Sequence, residues 1–384
     1  MNKIIKAFFL GILGAVLMAV VVIAVIWGGE IRTIMSVENV DGNPFLYQME
    51  YKAAYDLDEL IEQNIDSNGK LLEYVIKKVG KGLPIKIKSA QVADENGQMN
   101  TFNCTSFQVK NQEGDGYLFG RNYDYFKNPT MVTYSYPRDG YASIACSDMS
   151  HFGYSLEKVP SKFISKIMCV ASVYAPVDGM NEKGLCVSIM ALPKQPSQQD
   201  TEKPNVGTTI IMRLMLDRCA TVQEALELAE SVDICHDTTV GSGYHYMVAD
   251  ASGDCAVIEF DPEGGWETMV VRKEDGVNSM LVTNHLLSPK YYTEFPDQKV
   301  GNTHSRSWWR YDVAGQYIAE RQGIMSLEEA QEALDLVHWK DLKWENGIVE
   351  DTQFSNVYDQ SEKTLHLRNW NTYETTNTFE LKSE

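Results

Sequence analysis

Asn103-Cys104-Thr105-Ser106-Phe107 and, one hairpin later, Gly120-Arg121-Asn122-Tyr123-Asp124-Tyr125 decide how this chain is interpreted. Both stretches have strand-like patterns and flank a polar loop at residues 111–116, so they predict a β-hairpin whose first strand starts at Cys104. If the bond between Asn103 and Cys104 were cut, Cys104 would carry a thiol and a free α-amine. That amine, with a pKa near ~8, could act as the base for the thiol. The pattern therefore indicates a nucleophile hidden inside a longer chain.

The remainder of the chain predicts a mixed fold. Apolar residues at helical spacing indicate a helical pair over residues 57–79, whereas residues 30–50 show no clear period and are expected to form a stalk. Residues 208–219, 221–231 and 326–337 predict helices, and the last two open with capping-box signals. Further strands are predicted at residues 131–136, 141–146, 184–190, 244–249, 256–260, 268–272, 279–283, 354–358 and 364–367. Strand groups separated by helices favour an α+β fold with layered, mostly antiparallel sheets.

The N-terminus carries an apolar run at residues 7–27, preceded by Lys3 and Lys6. About 20 apolar residues are long enough to span a bilayer, so we expect a transmembrane signal anchor with residues 1–6 in the cytoplasm. The rest would then be extracytoplasmic, with residues 28–103 as stalk and helical propiece and residues 104–384 as the catalytic domain. Secretion after signal cleavage is the alternative.

Charge and cysteine content exclude several functions. The chain has 34 basic and 53 acidic residues, a net charge of −19, which argues against a nucleic-acid partner because such partners require a basic surface. Its seven cysteines include no C-x-x-C pair and no Cys/His cluster, so neither a metal nor another cofactor is expected. The six cysteines other than Cys104 either form three disulfides or stay free as small buried hydrophobic residues.

Several motifs, taken together, point to one family. They are Asn103-Cys104-Thr105-Ser106, Gly120-Arg121-Asn122-Tyr123-Asp124, Asp178-Gly179-Met180-Asn181-Glu182-Lys183-Gly184-Leu185, Val282-Thr283-Asn284-His285 and Ser305-Arg306. In these motifs the chain resembles the choloylglycine hydrolase and penicillin V acylase group, with the related acyltransferases and acid-ceramidase-like amidases, which are linear-amide hydrolases with an N-terminal nucleophile. The resemblance implies a four-layer αββα sandwich over residues 103–384.

The resemblance also implies roles around the cysteine. Cys104 would attack an amide carbonyl, Arg121 would favour its thiolate, and Asp124 would hold the new α-amine. Because this chain places 103 residues before Cys104, we predict self-cleavage at the Asn103–Cys104 bond, with both pieces staying associated. On a regular strand, however, residues three apart point to opposite faces, so Arg121 and Asp124 meet Cys104 together only if the strand bulges or ends near Asn122.

Three more site residues follow from the resemblance. Asn181 and Asn284 match positions that donate to the oxyanion, and Arg306 matches a second arginine of the site. From sequence alone, both asparagines also fit ordinary turn positions. His285 and His304 flank matched positions and would suit a Cys-His mechanism, but the α-amine removes the need for such a base.

We therefore expect a self-processing cysteine amidase that hydrolyses a small acyl amide, such as an N-acyl amide, a conjugated bile acid or a penicillin V-like compound. Acyl transfer to an amine acceptor is the nearest alternative. A non-catalytic, membrane-tethered binding protein and a papain-like cysteine peptidase with a histidine base are the others.

Overall fold

The computed structural model describes residues 21–81, 103–193, 196–238, 242–292, 306–343 and 349–382. The strands in chain order are β1 Glu38–Asn39, β2 Leu46–Tyr51, β3 Asn103–Asn111, β4 Tyr117–Tyr125, β5 Thr130–Ser135, β6 Ser143–Asp148, β7 Asp178–Asn181, β8 Cys186–Pro193, β9 Asn205–Gly207, β10 Asp233–Cys235, β11 Ser242–Ala249, β12 Cys255–Phe260, β13 Thr268–Arg272, β14 Ser279–Val282, β15 Ile324–Met325, β16 Leu342–Lys343, β17 Val349–Asp359, β18 Thr364–Asn369 and β19 Asn377–Glu380. Every strand predicted from alternation is present within a few residues.

Helices separate the strand groups. They are α1 at 21–36, α2 Leu57–Glu62, α3 Asn68–Gly80, α4 Ile210–Arg218, α5 Val222–Glu230, α6 Pro289–Tyr292, α7 Ser307–Glu320 and α8 Leu327–Asp335, with 3₁₀ segments at Met149–Phe152, Ile164–Tyr174 and Trp370–Thr372. The capping boxes at Thr221 and Ser326 form, and each hydroxyl accepts from the backbone N–H of a glutamate three residues on. The sequence did not predict α7, which matters for the site below.

Two large sheets form the middle of the molecule. The first has nine strands in the order β1-β2-β5-β6-β7-β8-β11-β12-β13, and the second follows the path β14-β3-β4-β17-β18-β19. Their inner faces meet, for example where the hydroxyls of Ser106 and Ser188 hydrogen-bond at 2.9 Å. Helices α4 and α5 pack on the first sheet, and α7 and α8 pack on the second. The order helix, sheet, sheet, helix is the predicted αββα sandwich.

The segment before the hairpin belongs to this sandwich. Residues 30–50, expected to be a stalk, instead supply β1 and β2, and β2 pairs in parallel with β5 from Leu46 opposite Thr130 to Tyr51 opposite Ser135. Parallel partners are far apart in sequence, so a short local pattern does not reveal the pairing. The predicted helical pair is present as α2 and α3.

The N-terminal helix corrects the predicted architecture. Residues 1–20, and with them most of the predicted span 7–27, lie outside the described residues, and the described part of α1 continues to residue 36. There Trp27 donates its indole N–H to the carbonyl of Val79 at 2.8 Å, and the buried Glu30 pairs with Lys81 at 2.6 Å. Along the part of the chain that the structure describes, no helix combines the length and apolarity needed to cross a membrane. This finding contradicts the predicted transmembrane helix and single-pass membrane location as far as the described residues reach: the described part of α1 carries charge and packs on α3.

The cysteines are free. All seven are buried, and none is part of a disulfide in the described residues, which contain all of them. The six cysteines other than Cys104 thus behave as small buried side chains.

Candidate active site

Cys104 lies on a central strand, at the interface between the two sheets. It is the second residue of β3, which pairs with β14 on one side and β4 on the other. The side chain is fully buried. Ser106, two residues further along the strand, contacts the facing sheet, so alternation directs the Cys104 thiol to the same inner face. The predicted position at the head of the hairpin is observed.

Arg121 and Asp124 lie on opposite faces of β4. The register pairs Cys104 with Tyr123 and Asn103 with Asp124, without a shift along the hairpin. Arg121 therefore shares the inner face with the thiol, where its guanidinium Nη2 donates to the carbonyl of Ile189 at 2.7 Å. Asp124 points toward the helices. The bulge near Asn122 that would have brought both residues to Cys104 is not present in β4; the register shift is in the partner strand β17, between Thr352 and Phe354 opposite Asp124 and Tyr123.

Asn284 contacts the cysteine directly. It follows β14, and its Oδ1 accepts a hydrogen bond from the amide N–H of Cys104 at 2.7 Å. Its Nδ2 donates to the carbonyl of Ala191 at 2.8 Å, and its own backbone N–H donates to the hydroxyl of Ser307 at 2.8 Å. Bonds to three different elements fix this residue beside Cys104.

Arg310 is the second arginine of the site, and the sequence analysis missed it. This fully buried side chain donates from Nη1 to the carbonyl oxygen of Cys104 and to the hydroxyl of Thr105 (3.0 Å), and from Nη2 to Oδ1 of Asn284 (2.6 Å). Arg306, the expected residue, is exposed at the start of α7 and makes no side-chain cap. Residues one helical turn apart share a face, so recognising α7 in the sequence would have drawn attention to Arg310.

The structure does not bring Asn181 to the cysteine. Its Nδ2 donates to the carbonyls of Leu216 and Cys219 at 2.9 and 2.7 Å, and its Oδ1 accepts from the backbone N–H groups of Lys183 and Leu185 at 3.0 Å each. These bonds tie the turn after β7 to the end of α4. The turn interpretation therefore describes this residue.

The two carboxylate oxygens of Asp124 differ in their hydrogen bonding. Oδ1 accepts from the hydroxyl of Thr352 at 2.6 Å, while Oδ2 is buried and has no hydrogen-bond partner among the described residues. Burial raises the pKa of this carboxyl to about 6, although Arg310, Thr352 and Arg121 act to lower it. At neutral pH the group is an anion with free acceptor capacity.

The Cys104 thiol is neutral in the uncleaved chain. Burial raises its pKa to about 12, and Asp124 adds to this, whereas Arg121 and Arg310 lower it. The two cations therefore partly offset the burial that disfavours the thiolate. Exposure of the thiol to solvent would remove the main cause of the raised pKa.

The side chain of His285, one of the two histidines considered as bases, contacts α7. Its Nδ1 lies 2.7 Å from the hydroxyl of Ser307, and its ring stacks on Trp308 with centroids 3.7 Å apart. His304 lies outside the described residues. The charged groups that act on the Cys104 thiol are Arg121, Asp124 and Arg310.

The chain is similar to one protein family and to several solved structures. A family model described as acyl-coenzyme A:6-aminopenicillanic acid acyl-transferase matches residues 109–374. Two structures of conjugated bile acid hydrolase from Clostridium perfringens, a cysteine-to-alanine mutant and an arginine-to-leucine variant, are 16% and 15% identical to the chain. Both cover 72% of this chain and 92% of the hydrolase, with TM-scores of 0.53 and 0.54. Penicillin V acylase from Agrobacterium tumefaciens is 19% identical over 72% of this chain and 85% of that chain, with a TM-score of 0.49.

The bile acid hydrolase shares the α+β sandwich fold of this chain. The family model spans β4, α7 and β17 in one match that covers more than half of the chain. Together they confirm the resemblance inferred from the motifs and indicate, at the level of the family, an enzyme that acts on linear acyl amides. The chain belongs to the acyl-coenzyme A:6-aminopenicillanic acid acyl-transferase family.

Proposed function

We propose that this protein is a self-processing cysteine amidase that hydrolyses a linear, non-peptide C–N bond through Cys104. One observation carries the proposal: three side chains are arranged around a single cysteine. Asn284 accepts from its amide N–H, Arg310 donates to its carbonyl oxygen, and Arg121 lies on the face of its thiol. A cysteine buried only for packing requires none of these groups.

The first reaction is cleavage of the chain itself. The sulfur of Cys104 attacks the carbonyl carbon of Asn103, the C–N bond breaks, and the thiol proton ends on the departing nitrogen. This step gives a thioester and a free α-amine. Water then hydrolyses the thioester, which leaves Asn103 as a carboxylate and restores the thiol at a new N-terminus. Arg121 stabilises the thiolate that forms in the first step.

The same groups serve the mature enzyme. The new α-amine, with a pKa near ~8, takes the thiol proton when the thiolate attacks the substrate carbonyl and returns it to the leaving amine. The α-amine also has more N–H donors than the original amide. Oδ2 of Asp124, which has no hydrogen-bond partner among the described residues, can accept one of them. The acyl group leaves the sulfur when water attacks the thioester. The cations at Arg121 and Arg310 keep the site favourable for negative charge.

The two pieces would stay together after cleavage. Residues 28–103 contribute β1 and β2 to the first sheet, so they share the hydrogen bonds of β5 in the catalytic piece of residues 104–384. The hydroxyl of Tyr55 donates to Asp217 at 2.8 Å and lies 2.8 Å from that of Ser135. Breaking the Asn103–Cys104 bond removes none of these contacts.

Acyl transfer is the second candidate, because the matching family is described as an acyl-transferase. Both reactions pass through the same acyl-thioenzyme and differ only in whether water or an amine takes the acyl group. The substrate class is a small acyl amide in either case. Mass spectrometry of the products with and without added amine separates the two: a free acid indicates hydrolysis, and a new amide indicates transfer.

The proposal is tested on the full chain and its Cys104→Ala variant. N-terminal sequencing of the wild-type protein should find a second N-terminus at Cys104, and a denaturing gel should show two fragments. The variant should run as one chain and hydrolyse none of a panel of acyl amides. Two fragments from the variant would exclude self-cleavage by Cys104. An intact, inactive wild-type chain whose Cys104 resists a thiol-directed electrophile would instead favour a binding protein.

A further inference from the structure

Asp178 stands in the motif Asp178-Gly179-Met180-Asn181, yet the proposed reaction has given it no role. It is the first residue of β7 in the first sheet and faces Arg121 of β4 across the interface between the sheets. Nε of Arg121 and Oδ2 of Asp178 are 3.7 Å apart, and both side chains are fully buried. Asp178 therefore presents its carboxyl group directly behind the arginine that lies beside the thiol. Burial raises the pKa of this carboxyl, and the charge of Arg121 acts to lower it.

Two residues of β17 aim the Asp178 carboxylate. Oδ1 accepts from Nδ2 of Asn356 at 2.9 Å and from the hydroxyl of Tyr358. Asn356 is also the register partner of Arg121 on β4, so the group that holds Asp178 lies next to the arginine. With Oδ1 occupied, Oδ2 is turned to Arg121 and has no hydrogen-bond partner among the described residues.

Arg121 depends on this anion for its position. Its Nη2 donates to Ile189, whereas Nε and Nη1 have no hydrogen-bond partner among the described residues. A buried guanidinium is stable only beside a compensating charge, because its desolvation costs several kcal/mol. Asp124 lies on the other face of β4, and the Cys104 thiol is neutral before cleavage. Asp178 is thus the carboxylate on the face where Arg121 is buried.

We propose that Asp178 is a positioning residue for the reaction at Cys104: it holds the Arg121 guanidinium against the thiol and leaves Nη1 available to the thiolate. The inference rests on the proposed function of Cys104. Asp178 itself touches neither the sulfur nor the acyl group in this scheme. Its effect therefore reaches the reaction only through the place of the arginine.

The substitution Asp178→Asn tests this with little change of shape. The amide oxygen can keep the bonds from Asn356 and Tyr358, but its NH₂ group then faces the N–H of Arg121, donor against donor. We expect the guanidinium to be displaced and the thiol to lose its stabilising cation. Tyr358→Phe is the milder variant, because it removes one of the two donors that aim Asp178 while the carboxylate stays.

Asp217→Asn is the matched control. Arg213 and Asp217 form another arginine–aspartate pair, also about 1% exposed, within α4 on the outer side of the first sheet. Disrupting either pair leaves a buried guanidinium without its carboxylate, so both substitutions lower thermal stability. Only the first pair includes the arginine beside Cys104. A purely structural role for Asp178 would make the two variants alike.

The measurement is the rate of Cys104 alkylation by iodoacetamide in the mature protein across pH, read by mass spectrometry of the new N-terminal peptide. For Asp178→Asn we expect the thiol midpoint to rise by about one pKa unit, equivalent to about tenfold slower alkylation at neutral pH. Tyr358→Phe should shift it less in the same direction, and Asp217→Asn should not shift it.

An unchanged midpoint in both Asp178→Asn and Tyr358→Phe would overturn the inference, as would a lowered midpoint, which would make Asp178 only a counter-charge. If Asp178→Asn does not fold, Tyr358→Phe decides alone. Failure of the proposed function looks different: wild-type protein would then lack the N-terminus at Cys104, and Cys104→Ala would retain whatever activity the wild type has.

Discussion

The side-chain oxygen of Asn284 accepts the amide N–H of Cys104 at 2.7 Å, so one side chain fixes the nitrogen that self-cleavage would release. The same oxygen accepts from Arg310 at 2.6 Å, which polarises it and holds it in place. A residue bound to the reacting peptide before cleavage is well placed to hold the α-amine afterwards. The geometry therefore supports a role for Asn284 in holding the nitrogen of Cys104, rather than the oxyanion role suggested by the motif.

Asn284→Ala should therefore slow both self-cleavage and substrate hydrolysis, by about 10²–10³-fold, the usual cost of losing one preorganised hydrogen-bonding group at a reacting centre. The measurements are the fraction of cleaved chain with time on a denaturing gel and kcat/KM of the mature enzyme. Asn181→Ala is the control, because it removes a buried asparagine whose side-chain bonds join the turn after β7 to the end of α4 and do not reach Cys104. It should lower the melting temperature and leave kcat/KM of the folded enzyme within a few-fold of wild type. Equal losses in both variants would contradict the assignment.

The two arginines of α7 make a second matched pair. Arg310→Lys keeps a positive charge but cannot bond the Cys104 carbonyl, Thr105 and Asn284 together, so we expect kcat/KM to fall by about 10²-fold. Arg306→Lys changes an exposed residue at the start of the same helix and should have no measurable effect. The steady-state kinetics of both variants, after self-cleavage has been checked on a gel, decide between them. A loss confined to Arg306→Lys would restore the residue that the motif suggested.

The raised pKa of Asp124 predicts how the stability of the uncleaved chain depends on pH. A carboxyl whose folded pKa is about 6, against 3.8 for the free group, binds its proton more tightly in the folded state. Its stabilising contribution is fully present below pH 3.8 and is lost as the pH rises through about 6. A shift of this size corresponds to about 3 kcal/mol of unfolding free energy over that window.

Urea unfolding of the Cys104→Ala chain between pH 4 and 7.5, with and without Asp124→Asn, isolates this contribution. Other buried carboxyls titrate in both proteins, so the difference between the two curves reports Asp124. We expect the difference to grow across the window, because only the chain that keeps Asp124 loses stability from this group. Parallel curves would mean that Asp124 is not buried as an acid in the folded chain.

Sequence reasoning placed Cys104 and Arg121 near each other because both lie on one hairpin. The alternation around Cys104 and Arg121 defines the strands, and the inner face follows from the period of two. The same period placed Asp124 on the other face of β4 unless that strand bulged or ended near Asn122, and the register of β3 and β4 shows no shift there. What the pattern did not contain is the bulge in β17, since a bulge in a partner strand leaves no trace in the strand it faces.

The residues that were missed depend on elements that are remote or locally ambiguous. Arg310 lies in a helix whose first turn contains two tryptophans and a tyrosine, a composition that favours strands as much as helices. β2 is a short strand whose parallel partner, β5, comes after the hairpin, so only the folded sheet brings them together. In both places tertiary contacts, not local preference, decide the structure.

The final prediction concerns the polar contact that joins the N-terminal segment to the catalytic piece. The hydroxyl of Tyr55 donates to Asp217, a carboxylate that is also paired with the buried Arg213. Tyr55→Phe removes a donor to a buried charge, which costs about 1–3 kcal/mol, while the ring still packs edge-on against Tyr51 and Tyr174. Association should survive, because the β2 to β5 ladder remains.

We therefore expect the cleaved Tyr55→Phe protein, like the cleaved wild type, to elute as one species in size-exclusion chromatography. The variant should release its N-terminal piece at a lower urea concentration than the wild type. Met49→Pro disrupts the ladder instead. The carbonyl of Phe45 accepts from the backbone N–H of Thr130, so the odd-numbered residues of β2 face β5, and proline at the buried Met49 opposite Thr133 removes a backbone donor to β5. It should yield a protein that separates into two pieces once cleaved, or that fails to accumulate. If Tyr55→Phe releases the N-terminal piece under native conditions and the proline variant does not, the hydroxyl contacts of Tyr55, rather than the shared sheet, hold the pieces together.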